Sequence, residues 1–419
     1  LSFFRRAPLA AVLPRPWLKW AGWSLLVTIF MTGFFFRFAP ATLSAGIQLD
    51  LRLSATALGL VASMHFWVYT AMQVPAGLLV DRLGLRRAGL LGGAITALGA
   101  WIFGTADGLA ALMWGTGLMG MGLSAVFVAL MKYNTLWFRP ERHSVAMGAT
   151  MLLAALGSML AESPTALLLH WLDWNQIVLV LAALTTVVTL GLLLACQESP
   201  LILPDQPPAP RRPGLLRSSQ MVLGQRQLWL LFACVGATNG SLYAFLGLWA
   251  VPLMSDALGT THTHAALYPT LALFIYAIGL LFCGWYSDYL QRRRPIILVI
   301  GAISVAVWGM LALAPWQPGV GAFLLFGLLG FSGSHVAVIF SLAKESVGAI
   351  NVGFAIALVN MGAFLVAAIV QVAFGGMLDL AQGWNLTERE AYQVALLLPL
   401  ALSLLGFLAA LGVRETGKG

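Results

Sequence analysis

Long stretches of this chain contain no Asp, Glu, Lys or Arg. The intervals 88–106, 108–131, 174–197, 227–255, 257–287, 346–378 and 391–413 are free of them. Each exceeds the roughly 18 residues that a helix needs to cross a hydrocarbon core. Residues 53–80 form another such interval, and 295–343 is long enough for two, divided at Pro315 and Pro318. Two further apolar stretches each hold one charge. About 19–48, entered at Lys19, contains Arg37, and about 145–170 contains Glu162. The pattern predicts an all-α membrane protein of twelve transmembrane helices. The apolar residues run on without the period-two alternation of ~10-residue strands, which excludes a transmembrane barrel.

Composition agrees with that pattern. Of 419 residues, 9% are charged and 60% hydrophobic. A soluble chain of this size must face water over much of its surface and cannot hide so much apolar area. Soluble enzymes, disordered chains and disulfide scaffolds are thereby excluded. Cys196, Cys234 and Cys283 form no close pair and no metal-ligand spacing.

The net charge of +8 first reads as a nucleic-acid signal, but the topology reassigns it. With the N-terminus in the cytoplasm, every one of the 23 Lys and Arg residues except Arg37, Arg52 and Arg389 falls on the cytoplasmic side. That bias orients the chain with both termini inside. The predicted organisation is a cytoplasmic tail (1–18), a six-helix bundle (19–196), a Pro- and Arg-rich linker (197–227), a second six-helix bundle (228–412) and a cytoplasmic tail (413–419). The basic stretch before Trp17 lacks a cleavable signal pattern.

The two halves repeat. Gly77-Leu-Leu-Val-Asp81-Arg82-Leu-Gly84-Leu-Arg86-Arg87 is echoed by Gly284-Trp-Tyr-Ser-Asp288-Tyr-Leu-Gln-Arg-Arg293-Arg294, at one constant offset. Each copy follows the second helix of its six. Here the chain resembles the major facilitator superfamily, whose signature between helices two and three is close to G-x-L-x-D-R-x-G-R-R. Gly77, Leu79, Asp81, Arg82, Gly84, Arg86 and Arg87 fit, and Leu85 replaces one basic position. Trp137-Phe-Arg-Pro-Glu-Arg142 resembles that family's loop between helices four and five. Tyr69 to Gly77 and Arg414-Glu-Thr416 are similar to a bacterial subgroup containing importers of amino acids and organic anions.

The resemblance implies a monomeric secondary transporter in the cell membrane, the bacterial inner membrane, that works by alternating access. It also implies that Gly77, Asp81, Arg82, Gly84, Arg86, Arg87, Arg142 and Asp288 form a conformational latch. Asp81 would pair with Arg142 or face the positive N-terminal end of helix eleven near Asn351.

Arg37 and Glu162 are the charges within spans. A charge in hydrocarbon costs about 2.5 kcal/mol or more on insertion scales, so it faces a cavity or a partner. Counted from Lys19 and Val145 at about 1.5 Å per residue, both lie roughly 25 Å from the inner face. The expectation is that they face each other, so that an anion taking the arginine frees the carboxylate to bind a proton. Snorkelling of Arg37 and a purely structural pair are the blander readings.

His65, Tyr69 and Gln73 form a polar stripe on helix two. His335, among small residues of helix ten, and Asn239 with Tyr243 on helix seven are cavity candidates. Phe34, Phe35 and Phe36 read as packing, and Lys132 as a positive-inside residue.

The chain has no phosphate loop, nucleophile triad or zinc spacing, so no catalytic residue, cofactor or resident metal is expected. The expected partners are a small polar or anionic solute, a proton and the lipid bilayer, with no nucleic acid. The function that follows is proton-coupled import of an amino acid or carboxylate. Proton-driven drug export stays open, although Ala161-Glu162 and Thr165-Ala166 depart from the glycine-proline motif of exporters in helix five. So does a transporter-like sensor.

Overall fold

The computed structural model describes residues 16–138, 140–198, 220–347, 352–384 and 386–415. Among them are twelve helices long and apolar enough to cross a membrane, as the charge-free intervals predict. They are α1 (Pro16–Leu51), α2 (Ala55–Leu83), α3 (Leu85–Gly104), α4 (Leu109–Trp137), α5 (Ala146–Leu168) and α6 (Trp174–Ala195). The remaining six are α7 (Arg226–Ala257), α8 (His262–Leu290), α9 (Arg294–Leu313), α10 (Val320–Glu345), α11 (Val352–Gly383) and α12 (Glu388–Leu411).

Local signals set the helix ends. The Ser54 hydroxyl accepts from the Ala57 N–H at the start of α2. Thr387 and Glu390 form a reciprocal capping box at α12, and Asp173 with Gln176 does so at α6. Gly84, between α2 and α3, has φ +82°, and a Cβ there would stand 2.5 Å from the Glu198 carboxylate oxygens. That carboxylate accepts from the Leu85 and Arg86 N–H groups (2.9 and 3.2 Å) and so caps α3.

The hydrophobic core shows how the two sets of six helices meet. At the end of the molecule carrying Pro16 and Glu415, called here the terminal face, the core is split. One cluster (Leu26, Val80, Leu130, Leu192) belongs to the first six helices. Another (Leu228, Ile297, Leu342, Val359) belongs to the last six. At the distal face a single cluster joins both sets, running from Ile47, Leu58 and Trp174 to Phe245, Trp308 and Phe374.

The α2–α11 seam records the same splay. A Cβ on Gly59 would collide with the backbone carbonyl of Gln371, so only glycine permits this approach. Gly77 lies 18 residues further on, five full turns and about 27 Å along the same face of α2. It has nothing within 4 Å of a Cβ position. The helices touch distally and part toward the terminal face. In this conformation Gly77, whose missing side chain could admit a close neighbour, has none.

Candidate functional site

Arg37 lies where both sets of helices meet, 5% exposed. Its guanidinium sits over four rings: Phe34 (4.6 Å), Phe364 (5.0 Å), Tyr69 (5.3 Å) and Phe66 (5.9 Å). Phe34 is one turn away on α1, Phe66 and Tyr69 come from α2, and Phe364 comes from α11. Contacts of this kind contribute about 0.5–2 kcal/mol each, and the Tyr69 hydroxyl also hydrogen-bonds the guanidinium. Its Nε has no hydrogen-bond partner. The cage rules against the blander reading in which Arg37 snorkels to the surface, and it sets the Phe34 ring, read as packing, against the guanidinium.

Glu162 does not face Arg37. Its Oε2 accepts from the Thr42 hydroxyl (3.0 Å), and its Oε1 has no partner. Neither residue has an ion-pair partner among the described residues. Glu162 sits level with Thr42, about 7.5 Å further along α1 than Arg37, so the two residues differ in both height and direction. Thr42 is five residues beyond Arg37 on α1, so the two side chains leave the helix about 140° apart. One points to the inter-half space and the other to α5. There α5 breaks at Ala161 and Glu162, between helical segments Pro140–Leu160 and Ser163–Leu168. Glu162 is fully buried in that break.

The last six helices bring a polar cluster to the same region. The Tyr243 and Tyr276 hydroxyls are 2.8 Å apart. The Asn239 amide donates to the Gly333 carbonyl (3.0 Å) and, at 3.5 Å, to Tyr276. Tyr243 packs edge-on to Phe38 of α1 and stacks at 6.3 Å on Phe364, one wall of the arginine cage. Both tyrosines are close enough to Arg37 to interact with it electrostatically. Two irregularities build this cluster. α7 widens into π-helical turns at Gly236–Gly240 and Phe245–Trp249, a feature frequent at functional sites. α10 is interrupted at Ser334 and His335.

Sequence reasoning missed Tyr276, Phe66 and Phe364. The one available signal was Tyr276's hydroxyl within an otherwise apolar span. Asn239 and Tyr243 both lie in this cluster. His335 is buried against Thr238 (3.5 Å) with its Nδ1 unpartnered, and it does not reach the cage. His65 is buried behind the cage, stacked on Tyr69 at 6.1 Å, and neither ring nitrogen has a partner.

The signature residues stand at the terminal face. Asp81 binds Lys132 (3.1 Å), so Lys132 is more than an orientation charge. The side chain of Arg142 and residue Asn351, the expected partners of Asp81, lie outside the described residues. Arg82 and Arg87 are exposed, and the Arg86 guanidinium donates to the Leu193 carbonyl. Asp288 binds Arg293 (2.7 Å), which also binds Glu345 (3.1 Å). Glu415 accepts from the Arg293 and Arg294 N–H groups (2.9 Å each), capping α9 as Glu198 caps α3. This second element of the repeat had a sequence signal, Glu198-Ser199 and Glu415-Thr416, each following the last helix of its half.

Comparison with known proteins fits this architecture. The family model described as Major Facilitator Superfamily matches residues 25–371 and 243–418. The Escherichia coli (strain K12) hexuronate transporter is 22% identical over 86% of this chain and 88% of its own length. The Homo sapiens monocarboxylate transporter 11 is 28% identical over 72% of this chain. The chain spans just under two thirds of that human protein (64%) and of the Bacillus subtilis (strain 168) uncharacterized transporter YybO (66%). Among solved structures, a bacterial homolog of the human lysosomal transporter Spinster, in an inward-facing and unoccupied conformation, superimposes with a TM-score of 0.80. It is 14% identical and covers 96% of this chain and 99% of its own.

Proposed function

Because the chain belongs to the major facilitator superfamily, we propose that it is a secondary transporter that carries a small organic monoanion across the cell membrane by alternating access, its terminal face in the cytoplasm. The observation that carries this reading is Arg37, a buried cation at the junction of the two halves with rings on its faces and no carboxylate partner among the described residues. A buried charge without a counter-ion is costly, and a substrate carboxylate supplies the counter-ion. The Tyr243, Tyr276 and Asn239 cluster offers hydrogen bonds to the far end of such a solute. Two relatives named for hexuronate and monocarboxylate transport support a carboxylate substrate.

Transport is inward and proton-coupled, with Glu162 as the proton site. Substrate and proton do not compete for one ion pair, since Arg37 and Glu162 point to different faces of α1. They communicate through that helix, where Thr42 holds the carboxylate.

The deciding experiment is a thermal-shift screen of the purified protein against monocarboxylates including sugar acids, dicarboxylates, amino acids and neutral sugars. A ligand that binds the folded state raises its melting temperature. The expected hit is a monocarboxylate that stabilises the wild type and fails to stabilise Arg37→Gln. Stabilisation by a neutral sugar alone, or an undiminished shift in Arg37→Gln, defeats the reading.

A further inference from the structure

We propose that Asp379 is the distal latch of the transport cycle, holding the distal face shut by capping the N-terminus of α2 across the boundary between the halves. This rests on the alternating-access reading above and adds a residue to it.

The geometry is specific. The Asp379 carboxylate, near the C-terminal end of α11, accepts from the Ala55 N–H (3.2 Å), the Thr56 N–H (2.9 Å) and the Thr56 hydroxyl. Ala55 and Thr56 are the first two residues of α2, and their N–H groups have no partner within the helix. Ser54 already caps the third, at Ala57. The start of α2 is therefore completed only by a side chain from the other half. A carboxylate in this position gains both charge-assisted hydrogen bonds and the helix dipole.

The surrounding seam fits the assignment. A Cβ on Gly375, one turn before Asp379, would stand 2.5 Å from the Ala55 carbonyl, so the two backbones are already in contact. Among the described residues, three other hydrogen-bonded contacts cross the halves at this face. They are Ser163 with Thr270 (2.8 Å), His262 with the Thr42 carbonyl (2.7 Å) and His170 with Thr263 (3.0 Å). None of these involves a carboxylate. Asp379 supplies the acidic group among them.

Asp81 completes the picture. α2 and α11 run antiparallel, and pairing Ala55 with Asp379 sets a register in which Asp81 falls level with Gly353, in the first turn of α11. Each helix thus carries an aspartate near its C-terminal end, aligned with the N-terminal end of the other. In this structure the distal pairing is made, while Asp81 is turned to Lys132 of its own half. The two aspartates cap opposite ends of one helix pair in alternate states, so each conformation is held by the same chemistry at a different face.

The test is a spin-label distance across the distal face, between Leu49→Cys and Val320→Cys, both highly exposed, with the three native cysteines replaced by Ser. Asp379→Ala should raise the ratio of long to short distances about tenfold or more. Asp379→Asn, which keeps an acceptor without the charge, should raise it less. Adding Asp81→Ala to Asp379→Ala should return the population toward short distances, a reversal that general destabilisation would not produce. Gly59→Trp, a wedge in the same seam, is the control, paired with a second label pair at the terminal face. If the wedge opens the distal face and closes the terminal one while Asp379→Ala leaves the distances unchanged, the latch is overturned and alternating access stands. If the wedge leaves the terminal face open, alternating access fails and the latch fails with it. Melting curves confirm that each variant is folded.

Discussion

At the level of single residues, the site is defined by what Arg37 lacks. Its faces are occupied by Phe34, Phe66, Tyr69 and Phe364, and no carboxylate among the described residues pairs with its edge. A planar edge presented in this way suits a bidentate carboxylate, whereas a lysine ammonium offers only a point charge. Arg37→Lys should therefore weaken substrate binding by tenfold or more, at about 1.4 kcal/mol per decade, read by isothermal titration. Equal affinity would remove Arg37 as a ligand. Phe364→Ala should weaken binding by several-fold, because it opens the wall shared with Tyr243.

The same scale yields a chemical prediction at Cys196, just beyond α6. Burial, with Glu198 nearby, pushes its thiol up to about 12. Since the thiolate is the reactive form, a polar maleimide should label it only slowly between about pH 7 and 9 in the folded protein. Rapid labelling, followed by intact mass, would show that the site is open.

At the level of elements, helix number, the repeat and the polar stripe of α2 were legible in the sequence. Charge is so scarce that each loop announces itself. The direction of a side chain around its helix was not legible. Counting residues placed Arg37 and Glu162 at one depth, but Glu162 meets α1 at Thr42, about 7.5 Å further along and about 140° around from Arg37. The break in α5 at Glu162 did have a signal, Pro164 in the first turn of Ser163–Leu168, which cannot donate to the preceding turn, whereas no proline marks the break in α10 at His335.

The caps of α3 and α9 were only half legible, because Glu198-Ser199 and Glu415-Thr416 repeat in the sequence but each glutamate lies more than a hundred residues from the N–H groups it caps. The tight turn at Gly84 depends on the first of these. Gly84→Ala forces a side chain into φ +82° and against the Glu198 carboxylate. It should cost about 1–3 kcal/mol and lower the melting temperature in detergent by several degrees. An unchanged melting curve would mean that the turn rearranges freely.

At the level of the whole molecule, the split core and the parted α2–α11 seam place a cleft at the terminal face. Cysteine introduced at Gly77 should react with a membrane-impermeant maleimide applied from that face, and cysteine at Gly59 should not. Labelling at both positions would contradict the splayed packing.

The isolation of Arg37 from Glu162 has an electrical consequence. Moving one elementary charge through the full membrane potential is worth about 2.3 kcal/mol per 100 mV. A carrier with only Arg37 charged would carry that burden whenever it returned empty. With Glu162 ionised on the return and protonated on the loaded journey, the mid-membrane charge sums to zero both ways. Wild-type uptake into proteoliposomes should then be indifferent to a potassium–valinomycin voltage. Glu162→Gln leaves the arginine unbalanced during the empty return, so its turnover should slow as the interior becomes more negative. In the proposed cycle the acid on α5 would make the carrier electroneutral, and a cell could depolarise without losing uptake.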